Sequence, residues 1–535
     1  MGAAGGGVSK QALSKVPAAV KGPIIWLTAI WASYCGSLHG FNTSNIAGVM
    51  GMPTFQQEFG WGHLSSDTVA NYRGWVTSSM LLGQTAGILL AGPVMESRGR
   101  KPIILMAAVT YTIGSLLMAV NFGSLPELLV GRVVSGLGSG MAYSAGPCYL
   151  SEIAPGELRG MLSTFYNAGI MSSVAGAYWI NFGASQVLTS RFQWVAPMIL
   201  QMIPSAILIL GYPFVPESPR FLAMVGRLDE AHRSLSRLRG GLDESHEYFA
   251  SEWRDLSRGV EYQSDVGIWK SSTVLLKRVW NEKPVRKIFI FVLFIQTFFI
   301  MSGGNSITYY APNILKSVGF DAEKVLLFTA VYGLIKFLSV FVYAMFLTER
   351  FGRRPLLLIG ATVNLVCLIY LSAYLGKANI TTTSKHASPA AIIAVISLCV
   401  FAMGYGIGWG PSFSVAASEI CPTPIRGPVV TIAFVYQNLL NFGITRGFPN
   451  MTEAMHAYGP FALFAACTFC GIVWVFFAFP ECRGRSMEST ESIFLFPWYK
   501  TGFAPVADQF SITVPDVEKD VNHEHREQIA CKDDA

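Results

Sequence analysis

Charge is scarce in this chain. Only 13% of its 535 residues are charged, whereas 52% are hydrophobic and the mean hydropathy is +0.42. A soluble domain could not bury that much apolar surface in its core, so the composition excludes a water-soluble globular protein. The lipid bilayer is therefore expected to be its solvent.

Motifs for several other functions are missing as well. No nucleotide-binding glycine loop is present, so we do not expect this chain alone to use ATP. The nine cysteines include Cys467 and Cys470, but both lie in the last apolar segment without a third ligand nearby, and we interpret them as helix-packing residues. No metal, cofactor or enzyme chemistry is predicted. The net charge of +6 requires no nucleic-acid partner, because the basic residues cluster at membrane edges.

Twelve apolar segments are long enough to cross about 30 Å of hydrocarbon. They cover roughly residues 23–45, 73–94, 102–121, 126–150, 160–183 and 194–215, and then 287–312, 325–347, 355–376, 390–417, 428–448 and 458–479. We therefore predict an all-α membrane protein with twelve transmembrane helices.

The chain also repeats itself. Three landmarks return in the same order: SEIAPGELRG (151–160) as SEICPTPIRG (418–427), MESRGRKP (95–102) as TERFGRRP (348–355), and PESPR (216–220) as PECRGR (480–485). The repeats indicate two homologous six-helix halves. Duplicated bundles with a site at the interface between the repeats are typical of secondary transporters.

The repeats and the composition define five predicted domains. They are an N-terminal tail (1–22), a six-helix bundle (23–215), a cytoplasmic helical linker (216–286), a second six-helix bundle (287–480), and a C-terminal tail (481–535) that is largely disordered after about 500. The linker is assigned as helical because Leu228, Ala231, Leu235 and Leu238 recur at helical spacing.

Basic residues in the short loops predict the orientation. Arg98, Arg100 and Lys101, and their counterparts Arg350, Arg353 and Arg354, place these loops in the cytoplasm by the positive-inside rule. Both termini are then cytoplasmic, and we expect a multi-pass protein of the plasma membrane. The first residues lead straight into a span, so no cleavable signal peptide is expected. Two glycosylation sequons, at Asn379 and Asn450, fall in loops that this topology places outside.

Carboxylates and basic residues recur at fixed spacing at the predicted cytoplasmic helix ends. We expect an ion-pair network that closes this side and stabilises the outward-open state; the alternative is a set of static charges that only fix the topology. The predicted members are Glu96, Arg100, Glu152, Arg159, Glu217, Arg220, Glu349, Arg353, Glu419, Arg426 and Glu481.

As a set, these motifs resemble the sugar porter family of the major facilitator superfamily. The similarity runs from about residue 25 to 490 and includes RGRKP, GRVVSGLGSGM (131–141), PESPRFL (216–222), GGNSITYYAP (303–312), ERFGRRP and PECRGRS (480–486). The segments YGLIKFLSVF (332–341) and NSITYYAP (305–312) look most like fungal members, a group that includes quinate-type and sugar or polyol permeases. The resemblance implies alternating access around a central polar site, with either uniport or proton symport. We expect a monomer that moves a small molecule across the bilayer.

The resemblance also implies a substrate site. Asn305, Tyr309, Tyr310 and Asn441 match the family pattern, Asn167 stands where the family has glutamine, and Gln437 is a further candidate. An amide can both donate to and accept from a sugar hydroxyl, although each amide could instead join two helices.

Other positions of that site depart from the family pattern. Phe299 and Ile300 replace a pair of glutamines, and Ser414 replaces an aromatic residue for which Phe413 or Trp409 could substitute. A site that has lost these hydrogen-bonding groups is less suited to glucose. A less polar solute, an acid or a pathway-specific metabolite is favoured instead.

Energy coupling is predicted from the first span. Proton-coupled relatives carry an aspartate there beside an arginine of the fourth span, whereas this chain has Asn42 and keeps Arg132. An amide does not titrate, which favours facilitated diffusion. His39, one helical turn away, is the substitute proton carrier to consider, with a packing role as the alternative. Lys336, inside the eighth span, could attract a carboxylate-bearing substrate or serve a structural role.

Three functions remain open at this point. The leading hypothesis is a plasma-membrane carrier that moves a small polyhydroxylated or acidic molecule along its gradient. A nutrient sensor is the second, although sensors of this fold have long cytoplasmic extensions and this tail is short. The third is an exporter of a fungal secondary metabolite.

Overall fold

The structure is a computed structural model that describes residues 16–263, 273, 277–347, 351–377, 389–411, 420–421, 423–480, 493–494, 497–499 and 501–503. Throughout that part of the chain the regular structure is helical. Twelve membrane helices follow one another as α1 (Pro23–Val49), α2 (Ser66–Arg98), α3 (Arg100–Val120), α4 (Leu125–Ile153), α5 (Arg159–Val187), α6 (Phe192–Leu200 and Ile203–Gly211), α7 (Lys283–Met301 and Gly304–Ser317), α8 (Ala322–Val342), α9 (Arg353–Lys377), α10 (Pro389–Ile407), α11 (Thr423–Ala454) and α12 (Gly459–Ala478).

These helices confirm the predicted fold class. Among the described residues, nine helical segments are both long and apolar enough to cross a membrane. The other three, α1, α4 and α5, are 27, 29 and 29 residues long and contain more Ser, Asn and Gly. Small and polar residues are expected on membrane helices that pack closely or line a pathway. A criterion based on hydropathy alone therefore misses such helices.

Several helices are longer than their apolar stretches. The second helix begins at Ser66 instead of 73, and α11 continues to Ala454 instead of 448. Hydropathy detects only the part of a helix that lies in hydrocarbon, whereas the backbone hydrogen bonds continue into the polar region. As a result the prediction that Asn450 lies in a loop is wrong, because this residue belongs to the last turns of α11.

The seventh helix is interrupted where the predicted site begins. Its first segment ends at Met301, and Gly303 then adopts a left-handed φ of 78° before the second segment starts. A Cβ on Gly303 would lie 2.5 Å from the Phe464 ring, so only glycine fits this break. Discontinuous helices are a recurrent way to place polar groups near the middle of a transporter.

The two halves meet along two helix pairs. Helix α2 packs against α11, and α5 packs against α8. The largest cluster of buried apolar residues contains Met80 and Tyr178 from the first half together with residues of the second half. The interface between the halves is therefore formed by packed helices from both repeats.

The linker is helical, as the periodicity predicts, with helices at Pro219–Met224, Leu228–Leu238 and Glu247–Gln263. Ala231, Leu235 and Leu238 are buried. Leu228 is 49% exposed, because it is the first residue of its helix and lies outside the packed face. Arg239 joins the linker to the bundle, because Nη1 donates to the carbonyl of Ile153 at 2.9 Å and Nη2 pairs with Glu252 at 2.5 Å.

Candidate functional site

A buried polar cluster lies where the second segment of α7 faces α10. The Tyr405 hydroxyl donates to Oδ1 of Asn305 at 3.1 Å. Gly304 makes this contact fit, since a Cβ there would lie 1.9 Å from the Tyr405 ring. The Phe299 ring lies 6.0 Å from the same tyrosine. Tyr405 therefore contacts both predicted residues, Asn305 and Phe299, although no motif in the sequence indicated it.

A second chain of hydrogen bonds joins α7 to α11. The Asn441 amide donates to the Tyr309 hydroxyl at 3.2 Å, and Thr445 donates to Oδ1 of Asn441 at 3.2 Å. The Tyr310 hydroxyl then donates to the Thr445 carbonyl at 2.9 Å. Three predicted site residues therefore contact one another or share a partner. The polar atoms of these residues are already hydrogen-bonded to one another or to Thr445, so a bound solute would have to replace those hydrogen bonds with its own.

Six side-chain amides in the described part of the chain have a buried polar atom without a partner, and two of them, Gln296 and Gln437, lie on α7 and α11. Gln296 is fully buried, and neither its amide nitrogen nor its oxygen is paired. Gln296 lies one turn before Phe299 on α7. An amide therefore remains on the helix face where the family pattern has glutamines and this chain has Phe299. Gln437 is buried, and its Oε1 is likewise unpaired. Trp409 is buried, and its Nε1 has no partner among the described residues.

The remaining predicted substrate residues are distributed differently. Asn167 is half-buried on α5, and no described hydrogen bond connects it with the chains around Asn305 and Asn441. Ser414 lies outside the described residues.

A cavity of about 320 Å³ opens on the face of the bundle opposite the linker. Its wall includes Arg73, Tyr310, Lys316, Phe448 and Glu453. The Tyr310 ring stacks on Phe448 with centroids 4.8 Å apart, so this aromatic pair lies between the cavity and the polar chain on α11. Tyr310 therefore forms part of the wall that separates this cavity from the polar residues of α11.

The predicted coupling pair is in direct contact. Nη1 of Arg132 donates to Oδ1 of Asn42 at 2.5 Å and to the Asn42 carbonyl at 2.7 Å. The same guanidinium donates to the carbonyls of Val76 at 3.0 Å and Thr77 at 3.2 Å. Asn42 also donates to Ser135 at 3.2 Å. The oxygens that accept hydrogen bonds from this buried cation are all neutral. The residue at the Asn42 position is an amide and does not titrate.

His39 has a neutral partner. Its Nδ1 lies 3.0 Å from Nε2 of Gln84, and its ring meets the Tyr143 ring edge-on with centroids 5.5 Å apart. An amide is neutral in either orientation, so this contact supplies no counter-charge to the imidazole. This geometry suits an uncharged imidazole.

On the linker side, part of the predicted gate forms one cluster. Arg100 pairs with Glu152 at 2.7 Å, and the side chains are 9% and 6% exposed. Ser218 donates to the other Glu152 oxygen at 2.5 Å. Glu217 accepts the backbone N–H groups of Arg100 at 3.3 Å and Lys101 at 3.1 Å, and so caps the start of α3. Burial raises the pKa of Glu217 above its ordinary value, against the lowering effect of these backbone donors.

Other predicted members have their own placement. Arg353 is buried at the start of α9 after Gly352, as Arg100 is buried after Gly99, which follows the repeat. Glu96 is half-buried and Arg220 is exposed. Outside the described residues are Glu349, Glu419, Glu481, Asn379, and the side chains of Arg159 and Arg426.

Removing the Glu152 charge should slow transport. In Glu152→Gln the Arg100 guanidinium stays buried without its counter-ion, which destabilises the closed arrangement by about 3 kcal/mol. We expect uptake to fall about tenfold or more, while a transported solute still raises the melting temperature of the purified protein. The exposed pair Arg227–Glu230 supplies the control, because Glu230→Gln should change neither quantity. Equal uptake by Glu152→Gln and the parent would contradict a gating role.

Comparisons with known proteins agree with this architecture. The family profile described as "Sugar (and other) transporter" matches residues 28–494. A protein named "Probable quinate permease" from Aspergillus fumigatus is 32% identical over 482 residues, which cover 88% of this chain and 87% of that protein. The "Quinate permease" of Emericella nidulans is 30% identical over 483 residues, 88% of each chain.

Solved structures give the same fold. The inward open conformation of the xylose transporter XylE from E. coli superposes with a TM-score of 0.71 at 22% identity, covering 88% of this chain and 99% of that one. The proton:xylose symporter XylE bound to 6-bromo-6-deoxy-D-glucose superposes with a TM-score of 0.72, also at 22% identity and with the same coverage. At this identity the likeness establishes the twelve-helix fold.

Proposed function

Because this chain belongs to the sugar porter family of the major facilitator superfamily, and is therefore a multi-pass membrane transporter of small solutes and not an enzyme, we propose that it carries a polyhydroxylated solute or a quinate-like acid by facilitated diffusion. The single observation that carries the proposal is the pairing of Arg132 with the Asn42 amide at 2.5 Å. No proton can be taken up or released at that position during the cycle.

The polar residues of α7, α10 and α11 support the solute class. Asn305 and Asn441 offer amides to hydroxyl groups, whereas Phe299 is buried against Tyr405 and offers an apolar wall. Hydrogen-bonding sites reject solutes that leave their groups unpaired, and apolar walls discriminate weakly. Such a mixed site favours a ring with both hydroxyl-bearing and apolar faces. The names of the two permease relatives make quinate the first acid to test.

The proposed cellular placement is the plasma membrane, with the linker and both termini in the cytoplasm. The basic residues at the start of α3 and α9 support this orientation. The cavity beside Tyr310 then faces the exterior and receives the solute, and the Arg100–Glu152 cluster lies at the cytoplasmic exit. We propose that one chain completes the cycle as a monomer, because both halves of the pathway are contained in it.

The direct test is uptake of labelled sugars, polyols and quinate by transporter-deficient cells that express the chain. We expect saturable uptake of at least one polyhydroxylated compound. For a neutral compound, on which the membrane potential does not act, the rate should not change when a protonophore is added. If no such compound enters and none raises the melting temperature of the purified protein, the proposed function fails.

Restoring the missing glutamines should improve hexose recognition. In a Phe299→Gln, Ile300→Gln double variant, two carboxamides face the site, so we expect glucose to compete about tenfold better, equivalent to about 1.4 kcal/mol. Phe294→Gln is the matched control, since this side chain of the same helix is 46% exposed on the outside of the bundle. Strong glucose competition in the parent that weakens in the double variant would contradict the assigned pocket.

A further inference from the structure

Lys336 is a buried ammonium within the second half of the bundle. It is 2% exposed and lies well inside α8. Its Nζ donates to the Thr308 hydroxyl at 2.6 Å and lies 4.5 Å from the centroid of the Tyr405 ring. Within the described part of the chain no carboxylate forms an ion pair with it. An ammonium carries three donors, and these contacts provide one hydrogen-bond acceptor and one aromatic face.

Acidic residues are absent from the middle of every membrane helix that the structure describes. The carboxylates that occur within the helix bounds all lie within three residues of a helix end: Asp67, Glu96, Glu127, Glu152, Glu323 and Glu453. A charge inside the bilayer is costly and usually has a partner or marks a substrate pathway. No residue at mid-membrane depth on these helices can neutralise Lys336.

Arg132 shows how the same chain stabilises a buried cation without a carboxylate. Its guanidinium donates to the carbonyls of Val76, Thr77 and Asn42 and to the Asn42 amide oxygen. Lys336 has no comparable set of described acceptors. One of these two buried cations is thus satisfied by the protein, and the other retains the capacity to bind an anion.

Building on the proposed function, we propose that Lys336 binds the carboxylate of the transported solute, and that the substrates are polyhydroxylated carboxylates. Tyr405 connects this cation to the polar cluster, because its ring faces Nζ of Lys336 while its hydroxyl donates to Asn305 at 3.1 Å. A solute with a carboxylate at one end and ring hydroxyls at the other meets the ammonium and the amide along this tyrosine. The bound solute supplies the counter-charge that the helices lack.

Binding to the purified full-length protein tests this inference. The probes are quinate and its methyl ester, which has the same ring hydroxyls but no charge, and the readout is the concentration of each that raises the melting temperature. We expect quinate to act at about tenfold or more lower concentration than the ester in the parent protein. Lys336→Met should remove that preference, and Lys336→Arg should retain part of it. Lys377→Met, at an exposed lysine near the end of α9, should behave as the parent.

Stability separates lost binding from lost folding. Lys336→Met removes a buried charge without an ion-pair partner, so its melting temperature without solute should equal or exceed that of the parent. A preference for quinate that survives in Lys336→Met, or an equal response of the parent to acid and ester, overturns the carboxylate inference. If the parent moves neutral polyols and ignores carboxylates, this inference fails and the transport proposal stands. If it neither moves nor binds any polyhydroxylated compound, the transport proposal itself has failed.

Discussion

Gly136→Val is expected to yield little or no folded protein. Helices α2 and α4 cross so closely that a Cβ on Gly136 would lie 2.2 Å from the carbonyl oxygen of Met80, and a Cβ on Gly83 would lie 2.0 Å from that of Val133. Gly87 and Gly140 repeat the arrangement one turn away. The obstructing atoms belong to the backbone and cannot rotate aside, so the helices would have to separate.

The expected loss exceeds about 4 kcal/mol, which is the range of severe core disruption. It is measured as the yield and melting temperature of monodisperse protein in detergent. Gly443→Val is the control, because Gly443 also lies within a helix but is exposed, and a Cβ there would have no neighbouring atom within 4 Å. Parent-like yield and stability of Gly136→Val would contradict the close crossing.

Much of the fold follows from the sequence because the bilayer imposes a simple rule. Apolar stretches must be long enough to cross hydrocarbon, and the repeated motifs fix where the second half begins. Helix ends follow less directly. Helix α11 continues to Ala454 and contains Asn450, because intrahelical hydrogen bonds do not stop where hydropathy falls. Leu228 has the spacing of a buried residue but lies at the exposed start of its helix.

The candidate site was only partly predictable. Motif positions identified Asn305, Tyr309 and Asn441; the structure joins them to neighbouring helices of the second half, where the second segment of α7 also packs against α1, and their role in binding stays a prediction. Tyr405 and Gln296 were missed, since each lies in a span without a recognisable motif. A signal was available for Gln296, whose amide stands one turn before Phe299 on an otherwise apolar helix face. Tyr405 gains its position from Gly304 on another helix, and such a contact depends on tertiary packing.

The charge of the solute determines what facilitated diffusion can achieve. A membrane potential of 100 mV, negative inside, opposes entry of one negative charge by about 2.3 kcal/mol, which corresponds to an interior concentration about 50-fold lower at equilibrium. A uniporter of carboxylates would therefore import them only from a concentrated supply or into cells that consume them, and would otherwise release them. A neutral polyol would simply equilibrate. The potential must be held at zero before any proton dependence is interpreted.

Under that condition, the parent protein is expected to equilibrate its solute without accumulating it. Sealed vesicles with the potential clamped and an inward proton gradient imposed should reach the external concentration and no more, because neither Asn42 nor Arg132 exchanges a proton during the cycle. Uptake should be unaffected by a protonophore. Accumulation well above the external concentration, abolished by the protonophore and by His39→Gln, would reject uniport and identify His39 as the proton carrier.

Asn42→Asp is expected to introduce pH dependence at the same position. The new carboxylate would lie where Oδ1 of Asn42 is now 2.5 Å from Nη1 of Arg132, and a buried ion pair at that distance is strong. Ionised, it would hold α1 against α4 and slow the cycle; protonated, it would restore an uncharged acceptor like the native amide. Uptake by this variant should therefore rise as the pH falls, whereas uptake by Asn42→Gln, which keeps an amide, should not. A flat pH profile in Asn42→Asp with normal folding would show that contact with Arg132 is insufficient for proton dependence, and that other groups must take part in coupling.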